Sequence, residues 1–281
     1  MKYSVLYNPC AANNKGEEQA KRLETVYPDA VLTYYDVTKI ADYKSFFAEL
    51  DKETDVILCG GDGTVNRFVN AIDGVEITHK MYYYPCGSGN DFAREVGNAD
   101  GTPIELTPYI QNLPTVTVKG ESFRFLNGVG YGIDGYCCEV GDKLREENAG
   151  KAINYTSIAI KGLLFHYKPT DATVIVDGKE YTFKKVWLAP IMNGCYYGGG
   201  MWPAPEQKRD SDTLSVMVFH GTGKIKSLLI FPGIFKGTHV KKKKNITILS
   251  GKEITVKYAS PRATQIDGET ILDVSEITAK K

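Results

Sequence analysis

An α/β domain followed by an antiparallel β-sandwich is the fold class that this 281-residue chain predicts. In the first 112 residues, short apolar runs of strand length alternate with stretches whose apolar residues recur at helical spacing, which is typical of a sheet covered by helices. From about residue 113 the pattern changes to a succession of short strands separated by turn residues. We therefore expect a three-layer α/β domain over residues 1–112 and a β-sandwich domain over residues 113–271.

The elements of the first domain follow from apolar periodicity and from the residues that interrupt it. Strands are expected at residues 2–7, 30–35, 55–59 and 80–84, and helices near residues 17–27, 40–50, 64–72 and 90–96. The first strand ends at Asn8-Pro9 and the fourth at Pro85, because proline cannot donate a hydrogen bond to a sheet. The first domain is thus predicted to hold a parallel sheet of βαβ units.

The second domain is predicted to be mainly strands. They are expected at residues 115–119, 123–126, 173–176, 181–187, 214–219, 245–249, 253–258 and 276–278, with one helix near residues 149–165. Antiparallel strands in this succession indicate two stacked sheets.

Composition limits the functional classes. The formal charge is zero, with 34 basic and 34 acidic residues, so no overall field favours nucleic acid as a partner. The six cysteines show no metal-binding spacing and are expected to be reduced thiols. No apolar run has the length of a membrane-spanning helix, and the first residues do not form a signal peptide. The sequence predicts a cytoplasmic protein.

The chain is organised around residues 60–64 (GGDGT), which lie between an apolar strand and a helical pattern. Glycines allow a ligand to approach the backbone amides closely, and the helix N-terminus adds its dipole. This combination predicts an anion site. Asp62 would repel a phosphate unless a cation lies between them, which points to Mg²⁺. A tight strand-to-helix turn without a ligand is the alternative.

A second glycine loop has the same design. Residues 86–91 (CGSGND) follow the strand at 80–84 and run into another helical pattern. The 29 positions between Asp62 and Asp91 are about one βαβ unit, so both loops are expected at the carboxyl ends of strands in one sheet. Open α/β sheets bind ligands at that edge.

Together, GGDGT at 60–64 and GSGNDFAR at 87–94 resemble the catalytic domain of the diacylglycerol kinase family, which is related to sphingosine and ceramide kinases. NAD kinases share the first motif, and phosphofructokinases carry a version of it. The resemblance runs along nearly the whole chain. It implies a nucleotide-binding first domain like that of those kinases, to which the last residues, about 272–281, return.

The resemblance also implies which residues of the first domain bind ATP and Mg²⁺. The residues implied in nucleotide contact are Asn8, Thr38, Gly60, Gly61, Asp62, Gly63, Thr64, Gly87, Ser88, Gly89 and Asn90. Asp62, also placed among the catalytic residues, and Asp91 would orient Mg²⁺. The residue chemistry alone offers another reading of Thr38, as the N-cap of the following helix.

In the second domain, the resemblance implies that Asp134 contacts the acceptor lipid, although a turn aspartate explains it equally well. Asp210 and Asp212 fall where relatives carry Asp-Asp-Gly and bind a structural Mg²⁺. The segment Asp267-Gly268-Glu269 corresponds to the family's catalytic base, which takes the proton of the attacking hydroxyl. Asp267 is favoured for this role, with Glu269 as the alternative.

A lysine cluster adds a predicted contact with membranes. Lys236 and the run 241–244 follow the apolar segment 228–235, which suggests docking on anionic lipid. A solvated basic face is the alternative. We expect peripheral binding at the inner membrane face, and a homodimer is among the oligomeric states left open.

The predicted function is an ATP- and Mg²⁺-dependent phosphotransferase with an alcohol acceptor, which transfers the γ-phosphate to a hydroxyl of a diacylglycerol-like or sphingoid lipid. A NAD kinase-like enzyme is one alternative, but its second motif normally lacks GNDFAR. The other alternative is a non-catalytic module that binds nucleotide or lipid. A Rossmann oxidoreductase is disfavoured because neither loop reads GxGxxG.

Overall fold

The computed structural model describes residues 1–87, 89–97, 101–147 and 155–281. The chain divides into two compact units, Met1–Asn112 and Leu113–Lys281. In the part of the chain described, no helix has both the length and the apolar character needed to cross a membrane. All six cysteines are free thiols.

The first unit is built on a five-stranded sheet. Its strands are β1 (Lys2–Tyr7), β2 (Val31–Asp36), β3 (Asp55–Gly60), β4 (Met81–Pro85) and β5 (Ile104–Glu105), in the order β2-β1-β3-β4-β5. The first four strands are parallel, and β5 runs antiparallel to β4. Val56, Ile57 and Leu58 are fully buried, because the central strand of a parallel sheet is covered on both faces.

Besides a 3₁₀ turn at Val37–Lys39, seven α-helical segments accompany this sheet in the described residues. They are α1 (Ala11–Asn14), α2 (Gly16–Lys21), α3 (Leu23–Val26), α4 (Tyr43–Glu49), α5 (Asp62–Ala71), α6 (Asp91–Val96) and α7 (Thr107–Ile110). The helix predicted near residues 17–27 is divided between α2 and α3. Helix α4 begins later than predicted, because its N-cap is Asp42, whose carboxylate accepts hydrogen bonds from the backbone N–H groups of Lys44 and Ser45. Thr38 is therefore not its N-cap.

The second unit contains ten antiparallel strands in the described residues. They are β6 (Thr115–Val118), β7 (Glu121–Arg124), β8 (Gly128–Tyr131), β9 (Thr170–Val176), β10 (Lys179–Val186), β11 (Ile191–Met192), β12 (Leu214–Phe219), β13 (Ile246–Gly251), β14 (Glu253–Ile266) and β15 (Glu269–Lys280). The main path is β13-β12-β11-β8-β14-β15-β6-β7, and β9 joins β10 to β14.

The long strand β14 is what allows this unit to enclose a core. Its pairing with β15 shifts register between Lys257 and Arg262. Before the shift β14 also pairs with β9, and after it with β8. One apolar cluster therefore collects side chains from distant strands, including Val116, Val216 and Ile277. An α/β unit followed by an antiparallel, sandwich-like unit confirms the predicted fold class.

Helices of the second unit differ most from the prediction. They are α8 (Ile133–Glu147), α9 (Tyr155–Lys161), α10 (Lys224–Ile230) and α11 (Pro232–Phe235), with a π-helical turn at Gly162–His166 and a 3₁₀ turn at Thr238–Lys241. The described part of the predicted helix 149–165 corresponds to α9 and the π-helical turn, and residues 149–154 lie outside the described residues. Helices α8, α10 and α11 were not predicted.

The chain end also differs from the prediction. Residues 272–281 were expected to return to the first domain, but Glu269–Lys280 forms strand β15 of the second unit. Strand β15 pairs with β14 along nearly its whole length and with β6 on its other edge. Both backbone edges of this segment are thus satisfied inside the second unit.

Candidate functional site

In the first unit, the candidate nucleotide residues lie at the carboxyl ends of neighbouring parallel strands. Asn8 follows β1, and its side-chain amide donates to the Thr64 hydroxyl (2.9 Å) while its oxygen accepts from the Cys10 N–H (3.0 Å). Asn8 thereby fixes the start of α5. Thr38 is exposed beyond β2, and its hydroxyl donates to the Asp36 carboxylate (2.7 Å), which lowers the pKa of Asp36.

The two glycine loops are in direct backbone contact. A Cβ added to Gly87 would lie 2.5 Å from the Gly61 Cα, and one added to Gly61 would lie 3.2 Å from the Gly87 Cα. Side chains at these positions would force the loops apart. The prediction that both loops lie at one edge of one sheet therefore agrees with the geometry of the first unit. Gly60, Gly63 and Gly89 belong to the same loops, whereas Ser88 lies outside the described residues.

Asn90 and Tyr83 hold the second loop in place. The Asn90 amide accepts a hydrogen bond from the Gly87 N–H (3.0 Å) and donates to the Gly87 carbonyl (2.7 Å), which closes the loop. Asn90 adopts a left-handed backbone (φ 49°), a conformation that asparagine tolerates. The fully buried Tyr83 hydroxyl lies 3.1 Å from the Gly60 carbonyl and 3.3 Å from the Asn90 oxygen. Burial raises the pKa of Tyr83, so the hydroxyl stays a donor.

Asp62 has a structural task that its motif did not reveal. Its carboxylate accepts hydrogen bonds from the backbone N–H groups of Asp91 (2.8 Å) and Phe92 (3.0 Å). These are first-turn donors of α6, which lack partners inside the helix. The acid of the first loop therefore caps the helix of the second loop. These two hydrogen bonds connect the two motifs, whose aspartates are 29 positions apart in the sequence.

The surroundings of Asp62 and Asp91 indicate how these residues could bind the predicted Mg²⁺. Asp91 is buried at the first position of α6, with 3% of its surface exposed, and Asp62 is partly exposed. Among the residues described, no group of three or more His, Cys, Asp or Glu side chains is placed to hold a metal ion. A cage made only of protein side chains is therefore not formed by the described residues.

In the second unit, Asp267 anchors the turn between β14 and β15. Its carboxylate accepts hydrogen bonds from the backbone N–H groups of Leu126 (2.5 Å), Asn127 (2.8 Å) and Gly128 (3.0 Å). The backbone of Asp267 is left-handed (φ 46°) and its own N–H donates to the Gly128 carbonyl (3.1 Å). Because both carboxylate oxygens accept these bonds, Asp267 is better suited to holding the turn against residues 126–128 than to accepting a proton from a substrate.

Glu269 is the other acid of this turn. It is partly exposed and opens β15, opposite Ile266. The next residue, Thr270, donates its hydroxyl to the Asp142 carboxylate on α8 (2.6 Å), which ties the start of β15 to that helix. Glu269 therefore stands on an anchored backbone.

Asp134 was predicted to contact substrate, but the structure places it inside the second unit. It accepts hydrogen bonds from the Tyr197 hydroxyl (3.0 Å), the Gly135 N–H (2.9 Å) and the Gln265 side chain. Gly130 leaves room for it, since a Cβ there would lie 1.8 Å from the Asp134 carboxylate. Burial is the main influence on its ionisation and raises the pKa of Asp134 to about 6.

Gln265 links Asp134 to the Asp267 turn. Its side-chain oxygen accepts a hydrogen bond from the Gly268 N–H (2.6 Å), while its amide bonds to Asp134. Tyr197, Asp134 and Gln265 thus form a buried chain that ends at the turn bearing Glu269. We interpret Asp134 as a residue that positions this turn, because its oxygens are engaged within the protein.

Asp210 and Asp212 have surroundings that disfavour a divalent cation. Both are exposed, and Asp212 forms an ion pair with Lys252 (3.1 Å). The Lys281 ammonium donates to the Arg209 carbonyl (3.1 Å), beside the same segment. Positive side chains therefore already lie where the resemblance implied a metal.

Sequence reasoning missed three residues of these networks: Tyr83, Tyr197 and Gln265. Tyr83 was visible only as one of three tyrosines in a strand, and nothing in the pattern showed that its hydroxyl joins both loops. Gln265 immediately precedes the Asp267 turn, which was the available signal. Tyr197 lies in a glycine-rich apolar segment whose contacts the sequence could not specify.

Comparison with known proteins agrees with this organisation. Residues 2–118 match the profile described as "Diacylglycerol kinase catalytic domain", and residues 127–278 match the "YegS C-terminal NAD kinase beta sandwich-like domain". The chain therefore belongs to the diacylglycerol kinase-like family of lipid kinases.

Similar proteins bear related names. A Mycobacterium tuberculosis protein named "Diacylglycerol kinase" is 28% identical over 203 residues, which cover 69% of this chain and 64% of that protein. A Bacillus subtilis protein named "Putative lipid kinase YtlR" is 24% identical over 233 residues, covering 76% of this chain and 73% of that protein.

A solved structure titled "Crystal structure of a putative diacylglycerol kinase from Bacillus anthracis str. Sterne" shares the fold. It matches with a TM-score of 0.67 and 22% identity, over 99% of this chain and 91% of that one.

Replacing Asp62 is expected to destabilise the protein, because the first turn of α6 loses its cap. Asp62→Ala should lower the free energy of unfolding by about 1–2 kcal/mol, measured by urea denaturation. Asp42→Ala is the matched control, since Asp42 caps α4 through two N–H bonds in the same way. The control should lose similar stability but keep activity. Unchanged stability in Asp62→Ala would contradict the capping role.

Asp134 is expected to make stability depend on pH. Its folded pKa, about 6, lies above its ordinary value of 3.8. The stabilisation of the protonated form is therefore complete below about pH 4 and lost as the pH rises through 6. Between pH 4 and 7, the stability of the wild type relative to Asp134→Asn should fall by about 2 kcal/mol. Urea unfolding across this range measures it, and parallel pH profiles for the two proteins would refute it.

Proposed function

We propose that this protein is an ATP- and Mg²⁺-dependent kinase that phosphorylates a hydroxyl group of a diacylglycerol-like or sphingoid lipid. The observation that carries the proposal is the backbone contact between Gly61 and Gly87, which joins two glycine loops at the carboxyl ends of parallel strands. Membership of the lipid kinase family points to the same class of reaction.

The triphosphate is assigned to the two joined loops. Helix α5 begins at Asp62, and its N-cap, Gly61, has no side chain to occupy the first-turn N–H groups. A helix N-terminus attracts phosphate oxygens through its N–H groups and through the helix dipole. Asn8 and Asn90 contribute by fixing the loops, since their amides already bind Thr64 and Gly87.

Mg²⁺ fits this arrangement as a companion of the nucleotide. It commonly binds through one or two carboxylates together with substrate phosphates and water. The Asp62 carboxylate accepts backbone hydrogen bonds from Asp91 and Phe92, and an ionised carboxylate offers about four lone-pair sites in all. Asp62, with Asp91 beside it, would hold the ion, which when bound neutralises phosphate charge.

Glu269 is proposed as the general base. Asp267 was favoured on the resemblance, but its carboxylate accepts three backbone hydrogen bonds. Glu269 is partly exposed and lies beside that anchored turn, and we therefore assign the role of proton acceptor to its carboxylate. Its role would be to take the proton from the hydroxyl as the oxygen accepts the phosphoryl group.

The acceptor is proposed to reach the enzyme from a lipid layer. A diacylglycerol-like or sphingoid alcohol is held in membranes by its acyl chains, so a cytoplasmic kinase would work peripherally at the inner membrane face.

The activity is tested by incubating the protein with labelled ATP, Mg²⁺ and a panel of alcohols: diacylglycerol, a sphingoid base, ceramide and NAD. We expect label in one or more lipids and none in NAD. Label only in NAD would favour a NAD kinase-like enzyme. Nucleotide binding without transfer to any acceptor would favour a binding module.

Glu269→Gln is expected to lower kcat by about 10²–10⁴-fold, because a positioned base contributes that much. The KM for ATP should stay near the wild-type value, since the change replaces a proton acceptor and leaves the glycine loops intact.

Asp267→Asn provides the comparison. The amide can replace only part of the three-bond anchor, so this variant should lose about 1–3 kcal/mol of stability together with activity. Steady-state kinetics and urea unfolding separate the two cases. A Glu269→Gln enzyme with wild-type kcat would place the base elsewhere.

A further inference from the structure

Positive charge is concentrated in one part of the second unit. Although the whole chain has no net formal charge, residues 213–252 contain no Asp or Glu. The same stretch contains eight lysines: Lys224, Lys226, Lys236, Lys241, Lys242, Lys243, Lys244 and Lys252. The described residues 155–169 likewise contain no acid and carry Lys161 and Lys168. Although the chain is neutral overall, these two stretches carry an excess of positive charge, which favours an anionic partner.

The helices in these stretches also expose large apolar side chains. Ile225 and Leu229 are each 78% exposed, and Phe165 is 70% exposed. Ile225 and Leu229 are four residues apart on α10 and so share one face of that helix. The Lys224 ammonium donates to the Leu164 carbonyl (2.7 Å), which joins α10 to the π-helical turn that bears Phe165. The three side chains therefore belong to adjoining elements.

The opposite side of this region is firmly packed. Ile230, Phe231 and Ile234 are buried in an apolar cluster with Trp187 and Phe219. These residues belong to the apolar segment 228–235 that the sequence suggested as the lipid contact. Most of that segment therefore supplies support, and of the three exposed side chains only Leu229 belongs to it, while Ile225 precedes it and Phe165 lies on the adjoining turn.

We propose that Phe165, Ile225 and Leu229, together with the exposed Lys161, Lys224 and Lys226 of the same helical segments, form a docking face that inserts into the surface of an anionic phospholipid membrane. Lysines attract the phosphate-bearing headgroups, while apolar side chains enter the boundary with the acyl layer. A membrane accepts both without a fixed pattern of partner groups. The exposed lysine run 241–244 adds long-range attraction that salt would screen.

Sedimentation with vesicles tests this face, using the full chain without nucleotide or acceptor lipid. Failure of docking is then distinguishable from failure of the proposed kinase activity. We expect binding to vesicles of equal phosphatidylglycerol and phosphatidylcholine, weakening by tenfold or more between low and high salt, and little binding to phosphatidylcholine alone. Equal binding to both vesicles, or none to either, would overturn the proposal. The second result would favour an acidic protein as the partner of this face.

Substitutions separate the apolar contribution from the charge. Ile225→Asn with Leu229→Asn should weaken vesicle binding by tenfold or more, and Phe165→Ser should act in the same direction. Replacement of all four lysines at 241–244 by glutamine should weaken binding mainly at low salt. The matched control is Val31→Asn, which alters a side chain 64% exposed in the first unit and should bind like wild type.

Thermal unfolding of each variant shows whether it keeps the fold. A folded Ile225→Asn, Leu229→Asn protein that binds anionic vesicles as tightly as wild type would refute insertion by this face.

A fluorescent label gives a second readout. An environment-sensitive dye attached at Leu229→Cys, in a background where the exposed Cys10 is serine, should shift to the blue on anionic vesicles. The same dye at Val31→Cys should not shift. An unshifted dye at position 229 on bound protein would also refute insertion.

Discussion

The hydrogen bonds from Asp91 and Phe92 to the Asp62 carboxylate are the interaction on which the first unit's candidate site depends. They connect two loops that belong to different βαβ units. Without them, the first turn of α6 would lose its cap and the two loops would lose a direct link. An ionised carboxylate is well suited to the task, because bonds from N–H donors to a charged acceptor are stronger than those between neutral groups.

The second unit uses carboxylates in a related way. Asp267 binds three consecutive backbone N–H groups, and Asp134 binds a tyrosine, a glutamine and a backbone amide. The sequence predicted that these acids contact substrate or metal directly. In the structure, their carboxylates mainly accept hydrogen bonds from groups within the protein. This commitment is why Glu269, with the partly exposed carboxylate on the same turn, becomes the candidate base.

The order of secondary structure in the first unit could be predicted because its signals are local. Buried runs such as 55–59 and helical spacing such as that of Val65, Phe68 and Val69 do not depend on distant residues. Strands β14 and β15 were predicted too short, because their length is set by cross-strand pairing rather than by composition. Helix α8 was missed because its first turn contains Gly135 and its second turn two adjacent cysteines, which weaken the helical pattern.

The candidate site likewise has features that could be predicted from local sequence and features that could not. Glycine loops and their acids could be located from the motifs, since glycine and aspartate at fixed spacing reveal the turn. The partners of those acids could not, because each bond joins residues far apart in sequence. Asp267 and Leu126, for example, are separated by 141 positions.

The close approach of Gly61 and Gly87 has a consequence for how a ligand is received. Two loops whose backbones touch cannot swing open singly, as a hinged flap would. Any displacement of one strains the other and the cap beneath it. If the loops receive phosphate as proposed, they would be ordered before the nucleotide arrives, and less entropy would be lost on association than with a mobile loop.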